Sequence, residues 1–403
     1  MLNEEQQKAV LTTQGRVLIL AGAGSGKTSV ITHRIAYLIN HLKVNPSSIL
    51  GLTFTNKAAQ EMQHRVLQLV GKEASSRLFL TTFHSFCMQV LRKEIQHLGY
   101  TKQFTLYHER DVKRVVGQLA RFVLEKEGEL PSLQSTLETI SLIKNRADRD
   151  LLLQQAPIIR EIFERLETSL RAYNAVDFDS LLSLTLDLFE KHPAVLEKYQ
   201  EQYRYIMIDE YQDTNPVQYK LAMLLSLKYN NLCVVGDDDQ AIYGWRGADI
   251  KNILEFPAES VIKLEQNYRS TPLILKAAHE LISKNRKRHP KELWSKKEKG
   301  GLIQVFTAPT EQQEAEGVIG RMIRLHQEHH IPWKEMAILY RSNILASSCE
   351  LALMQAAWKK EDVWVRGIPY EVFGGVEFYE RAEIKDMGAY LNVILNPQDQ
   401  ESL

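Results

Sequence analysis

Two short stretches carry residue types suited to handling phosphate. "AGAGSGKT" (21–28) sets three glycines ahead of a lysine and a threonine. Gly22, Gly24 and Gly26 let backbone N–H groups turn inward around phosphate oxygens, and Ala21, Ala23 and Ser25 complete the loop. Lys27 supplies a point charge for the outer phosphates, and Thr28 a hydroxyl of the kind that binds Mg²⁺. Ala21 stands where the general pattern has its first glycine. "YIMIDE" (205–210) is an apolar run ending in Asp209 and Glu210. Asp209 suits a hard divalent cation, and Glu210 can orient and deprotonate a water. Cradle, Mg²⁺ ligands (Thr28, Asp209) and base together predict hydrolysis of ATP.

A third stretch, "VVGDDDQAIYGWRGAD" (234–249), mixes carboxylates, an amide and aromatics. Gln240 follows a predicted strand, where its amide can sense a γ-phosphate. Phosphate chemistry does not account for Tyr243, Trp245 and Arg246. Flat rings beside an arginine suit stacking on unpaired bases, worth ~1–3 kcal/mol per base. Packing of the two rings in a core is the alternative that composition leaves open. On the first reading the stretch couples ATP at one end to a single strand at the other.

These residues need a frame. "RVLIL" (16–20) and "ILGLTF" (49–54) read as buried strands, each followed by apolar residues at helical spacing. Strand, turn and helix in repetition predict an α/β fold with a parallel sheet and helices on both faces. From 91 to about 175 helical spacing dominates, which predicts an all-helical insertion. Strands resume at "YIMIDE" and "LCVVGDD" (232–238) and return the chain to the first sheet. "VIKLEQNYR" (261–269), "LIQVFTA" (302–308) and "MAILYRS" (336–342) predict a second α/β unit.

The 403 residues suffice for two or three domains. Fifty basic residues balance fifty acidic ones, so any nucleic-acid site must be a local patch. Cys87, Cys233 and Cys349 are too few and too scattered for a disulfide framework or a CxxC metal site, which fits a reducing cytosol. No apolar run approaches the ~18–20 residues of a membrane helix. "MLNEEQQKAV" lacks the basic start and apolar core of a signal peptide. A cytoplasmic protein with no membrane partner is the expectation.

"AGAGSGKT", "GLTFTNKAAQEM" (51–62), "TTFHSF" (81–86), "VDFDSLL" (176–182), "IMIDEYQDTNPVQ" (206–218), "VVGDDDQAIYGWRGAD" and "LEQNYRS" (264–270) occur in this order. Together they resemble the UvrD/Rep/PcrA family of superfamily-one DNA helicases, and "LNEEQQKAV" (2–10) is similar to its N-terminal glutamine motif. The resemblance implies a RecA-like P-loop motor domain (1–90 and 176–262), a helical insertion (91–175) and a partial second RecA-like domain (263–403). It implies that Gln6 reads the adenine edge, Tyr268 stacks on the base and Arg269 reaches the γ-phosphate. Phe54, Thr55, Asn56, Phe83, His84, Tyr243, Trp245 and Arg246 would line a single-strand track. Movement would run 3′→5′ on single-stranded DNA and at junctions with duplex, in repair or replication, with loading proteins as further partners. Ser29, Ser180 and Ala241 depart from residues frequent in the family, and "AWKKEDVWV" (357–365) reads as an extra loop.

Weaker signals have two readings each. Lys144, Arg146 and Arg149 grip phosphates or, the favoured reading, form a solvated helix face. "KNRKRHPKELWSKKEK" (284–299) holds eight Lys or Arg against two Glu, enough to attract DNA, with an unspecialised surface weighed equally. In "HQEHH" (326–330), His326 and His330 share a helical spacing, but Gln327 stands where a zinc protease needs glutamate, which favours a surface helix end. "YEVFGGVEFYERAEIKDMGAYLNVI" (370–394) resembles the middle of the family's second motor domain, and no "TIHxAKGLE"-type motif follows it. The chain then reads as the N-terminal part of a helicase, inactive alone or not. The alternatives are an ATP- and strand-binding module without motor activity, or the motor half of a helicase–nuclease subunit.

Overall fold

The computed structural model describes residues 2–127, 132–146, 149–360, 363–373 and 382–400. They form two compact units, Met1–Gly300 with Met387–Leu403, and Gly301–Asp386.

In the larger unit six strands make one parallel sheet: β1 (Arg16–Ala21), β2 (Ile49–Thr53), β3 (Phe79–Thr82), β6 (Tyr205–Ile208), β7 (Leu232–Gly236) and β8 (Ser260–Leu264), in the order β3-β2-β6-β7-β1-β8. The two shorter strands between them in sequence are β4 (Thr105–Tyr107) and β5 (Ala175–Asp177). Successive side chains of a strand point to opposite faces, so β1 serves two cores. Leu18 and Leu20 enter one, with Phe86, Val90, Leu181, Leu188 and Leu221. Val17, Ile19 and Ala21 enter the other, with Val30, Ile31, Ile35, Met62 and Val66. A central parallel strand covered on both faces must be apolar throughout, which explains the unbroken run "VLILA". The α/β fold with a parallel sheet is as expected.

Four expectations change. The stretch 261–264 belongs to β8, which pairs with β1 (Ile19 beside Ile262) and closes the first sheet. The insertion is not all helical: β4 pairs in parallel with β5, since Asn174, at φ 47°, turns the chain back and its carbonyl accepts from Thr105 N–H at 3.0 Å. Three-residue strands are too short to leave a period-two signal. Segments 302–308 and 336–342 form no strand, and Val305 and Leu339 are more than 89% exposed (90% and 93%). Their apolar residues suit a strand, but no hydrogen-bonded partner is present among the described residues. The expected loop at 357–365 is instead an antiparallel pair, β9 (Ala357–Lys360) and β10 (Val363–Arg366), with residues 361 and 362 outside the described ones.

The smaller unit packs helices Glu311–His329 and Ala346–Gln355 around Ile319, Leu353, Trp358 and Ile368. His326 is stacked on Trp333 at 4.0 Å, and its Nδ1 lies 2.8 Å from the Ile331 carbonyl. That ring is committed to packing. Residues 374–381 of the stretch 370–394 lie outside the described residues.

Candidate functional site

All the phosphate-handling residues lie at the carboxyl ends of parallel strands, where open α/β sheets bind ligands. After β1 the chain turns through Gly22–Gly26 into the helix Lys27–Asn40. Gly24 and Gly26 have φ of +68° and +86°, which side-chain-bearing residues rarely adopt. A Cβ on Gly24 would also come within 2.7 Å of Arg269 Cβ, so the loop is shaped against the "LEQNYRS" segment. Asn267, buried there, donates to the Ala23 carbonyl, and Tyr268 N–H donates to the Gly24 carbonyl at 2.9 Å. The Asn267 Oδ1 accepts from the N–H groups of Arg269 and Ser270, at 2.9 and 2.7 Å. This fixes where Arg269 and Tyr268 leave the backbone.

Gln6 approaches from the other side. Its Oε1 accepts from Asn3 N–H at 3.0 Å in a capping box, and its Nε2 donates to the Ser25 carbonyl at 2.8 Å. Thr28 follows Lys27 in the first turn of the helix, where N–H groups and the helix dipole favour an anion.

From Lys27 a chain of polar contacts crosses to β6 and β7. Lys27 Nζ lies 2.7 Å from Glu210 Oε2. Glu210 sits at φ 49°, just past β6, and its Oε2 also accepts from Gln212 Nε2 at 3.0 Å. Gln212 Oε1 accepts from Asp237 N–H at 3.0 Å, and Asp237 Oδ2 accepts from Gln240 Nε2 at 2.5 Å. Gly236 permits this: a Cβ there would come within 2.6 Å of Gln212 Oε1. Asp209 is tied to β2 by its N–H on the Leu52 carbonyl, at 2.9 Å. Its carboxyl pKa is pushed up to about 6, by burial first and then by the neighbouring charge of Glu210. One network thus joins the phosphate loop, Glu210 and Gln240. Gln212 and Asn267 are members that sequence reading missed, although both lie inside quoted motifs.

The aspartates of "GDDDQ" have another role than their composition suggests. They are met by the basic stretch 284–299: Arg288 makes a two-pronged contact with Asp239, at 2.8 and 2.7 Å, and Lys291 Nζ touches all three. Those two cations are engaged in ion pairs and are not part of a free basic patch.

Tyr243, Trp245 and Arg246 lie in an exposed turn beyond Gln240. Phe54 stacks on Tyr243 at 4.8 Å, Trp245 is 6.5 Å from Tyr243, and the Arg246 guanidinium covers Trp245 at 4.6 Å. Trp245 is 72% exposed, so the core alternative fails for it. Thr55 caps the helix Asn56–Val70, its Oγ1 accepting from Ala58 N–H at 3.1 Å, and Asn56 is exposed at that helix start. Phe83 is the exception. At 4% exposure it lies in the core, because the helix Phe83–Glu94 turns its first side chain under the sheet. His84 takes the outward place, stacked at 3.9 Å on Phe178, and burial lowers its pKa to about 4, so it is neutral at ordinary pH. Phe178, 54% exposed, is a further surface aromatic that the "VDFDSLL" motif contains and that reading by residue type overlooked.

Lys144 is neither a phosphate grip nor part of a solvated face. Its Nζ is buried against Asp177 (2.5 Å), Glu167 (2.8 Å) and Ser180 Oγ (2.8 Å). Ser180 is thereby a hydrogen-bond acceptor for the ammonium. The Arg149 side chain lies outside the described residues, and Arg146 has a partner of its own.

A glycine-rich loop between a parallel strand and a helix, facing an acidic pair just past β6, with β7 between that strand and β1, defines the P-loop nucleotide-binding class. Residues 2–260 match the family model described as UvrD/REP helicase N-terminal domain, and residues 262–403 match UvrD-like helicase C-terminal domain. The chain belongs to the UvrD/REP helicase family. It is 43% identical over its whole length to a protein of Staphylococcus aureus named ATP-dependent DNA helicase PcrA, and 44% identical to one of that name from Staphylococcus epidermidis. It covers 55% of each, so the chain spans about half the length of the curated relatives it matches. Among the described residues no helix is long and apolar enough to cross a membrane.

Proposed function

We propose that this chain carries the ATPase and strand-binding machinery of a DNA helicase that moves 3′→5′ on single-stranded DNA and unwinds duplex. The observation that carries the reading is the loop 236–249. Its first half ties Gln240 into the Lys27–Glu210 network, and its second half presents Trp245 and Arg246 to solvent beside the Phe54–Tyr243 stack. A shift of Gln240 toward a γ-phosphate would move the aromatic end with it.

In this reading the P-loop N–H groups and Lys27 bind the triphosphate, with Lys27 leaving Glu210 for the phosphate. Glu210 then accepts the proton of the attacking water, and Gln240 and Arg269 meet the transferred phosphoryl group. Thr28 and Asp209 offer the hard oxygen donors that Mg²⁺ prefers. When bound, Mg²⁺ would neutralise charge on the phosphates. Gln6 and Tyr268 flank the loop where a base would lie. Single-strand contacts fall to Phe54, Thr55, Asn56, His84, Tyr243, Trp245 and Arg246, with Phe178 added and Phe83 supporting from below.

The family-model boundary between 260 and 262 supports a first motor domain followed by a second. Because β8 (Ser260–Leu264) lies in the first sheet, the start of the second, expected at 263, moves past Leu264, with 91–175 kept as the insertion in the first. Service in repair or replication, with a loading partner, belongs to the same proposal.

The test is ATP turnover by the chain with and without a single-stranded oligonucleotide, beside Trp245→Ala. Loss of one stacking ring is expected to weaken strand binding ~5–150-fold, from ~1–3 kcal/mol per base, and to raise the strand concentration for half-maximal stimulation equally. ATP affinity without strand should hold. Turnover absent while ATP and strand both bind would replace this reading with that of a binding module. Unchanged strand affinity in Trp245→Ala would remove the loop from the track.

A further inference from the structure

The segment 288–297 forms a strap between two parts of the nucleotide site, and nothing in the chemistry of ATP hydrolysis requires it. At one end Lys291, its side chain only 2% exposed, lies 2.7 Å from Asp237 Oδ1 and 3.3 Å from Asp239 Oδ2, with Asp238 also in contact. Arg288 grips Asp239, and the His289 N–H donates to Asp238 Oδ2 at 2.7 Å. At the other end Trp294 exchanges backbone hydrogen bonds with the "LEQNYRS" segment: its carbonyl accepts from Asn267 N–H at 2.7 Å, and its N–H donates to the Glu265 carbonyl at 3.1 Å. Lys297 Nζ donates to the Arg269 carbonyl at 2.8 Å. Between the two ends Leu293 fills the space that a Cβ on Gly22 would occupy.

Three adjacent carboxylates beside a triphosphate site would repel both one another and the phosphates. Burial alone would lower the pKa of Lys291, but Asp237 foremost, with Asp238, holds it above the ordinary lysine value, so the ammonium stays charged. Asp237 is the same residue whose Oδ2 holds Gln240.

We propose that Lys291, with Arg288 beside it, is the positioning residue that locks the Gln240 loop in register with the backbone carrying Asn267 and Arg269. The two γ-phosphate-directed side chains then move as one body. The inference rests on the reading above that Gln240 and Arg269 face the γ-phosphate. It separates nucleotides by their last phosphate: ADP needs neither side chain, and ATP needs both.

The experiment uses the full 403-residue chain, unaltered and as Lys291→Met and Arg288→Gln, with turnover at saturating oligonucleotide and fluorescence titrations of Mg–ADP and a non-hydrolysable ATP analogue. In Lys291→Met, kcat is expected to fall at least ~10-fold and analogue affinity at least ~5-fold, as misplaced groups cause, with ADP affinity within ~2-fold. Arg288→Gln, at the outer contact, should show the same selectivity with a smaller loss, and it decides the question if Lys291→Met does not fold. Equal weakening of ADP and analogue, or unaltered kinetics, in the folded variants overturns the proposal while leaving the ATPase reading in place. An unaltered chain that neither binds nor turns over ATP overturns both.

Discussion

Replacing Glu210 with glutamine is expected to lower strand-stimulated ATP turnover by roughly 10²–10⁴-fold, the share that a positioned general base contributes, while the chain still binds nucleotide. The geometry separates these effects. Glu210 stands just past β6 in a left-handed conformation, and that backbone setting does not depend on the carboxylate. Glutamine keeps its length and can still bond Gln212, but it cannot take a proton from water at neutral pH. Its contact with Lys27, 2.7 Å in the ionised pair, becomes an uncharged one. Lys27 then gives up less when it turns to a phosphate, so affinity for ATP should hold or tighten. Turnover by coupled assay, set beside a fluorescent-nucleotide titration, checks both halves. A variant within about threefold of the parent rate, far less than a lost base costs, would take Glu210 out of the chemistry.

The largest effect on stability is expected at Lys144→Met. Removing one partner of a buried ion pair costs ~3–5 kcal/mol, because the other partner stays buried and unpaired. Here the stranded partner is Asp177 in the β5 strand, its side chain 7% exposed, while Glu167 in the helix Pro157–Ala172, 31% exposed, keeps contact with water and adds less. Methionine has nearly the volume of lysine, so the loss is one of charge and not of packing. The carboxylates outweigh the burial that would lower the pKa of Lys144, and its ammonium is charged throughout the working pH range. Urea unfolding followed by circular dichroism should show a lower midpoint with an unchanged slope. Adding Asp177→Asn should recover part of the loss, the sign of coupling between contacting residues. A destabilisation under about 1 kcal/mol, ordinary for a surface site, would mean that water reaches Lys144.

These two residues mark what one-dimensional reading can find. Glu210 was legible because its meaning is local: an apolar run that stops at two acids, on a chain that also holds a glycine-rich loop with lysine and threonine. Lys144 was not. It sits on a helix with Arg146 close behind, and only its neighbour 33 positions away reveals a buried pair. Lys291 is the same case at a separation of 53, hidden inside a basic stretch that invites a DNA-binding reading. Phe83 and His84 share one motif, yet the helix start sends the first ring into the core and the second outward.

Strand edges followed the same division. The interior strands β1, β2, β6 and β7 are apolar whichever way they pair, so composition alone exposed them. The assignment of 260–264 to the first sheet depended on which strand lay open beside it, and the segments at 302–308 and 336–342 have strand composition without a strand partner among the described residues. Turn geometry, apolar period and the chemistry of a phosphate loop are properties of a few consecutive residues and can be read from their order. Charge pairing, the face a ring presents and the partner a strand finds depend on residues far apart in sequence. Burial sets their sign and strength, and burial exists only once the chain has folded.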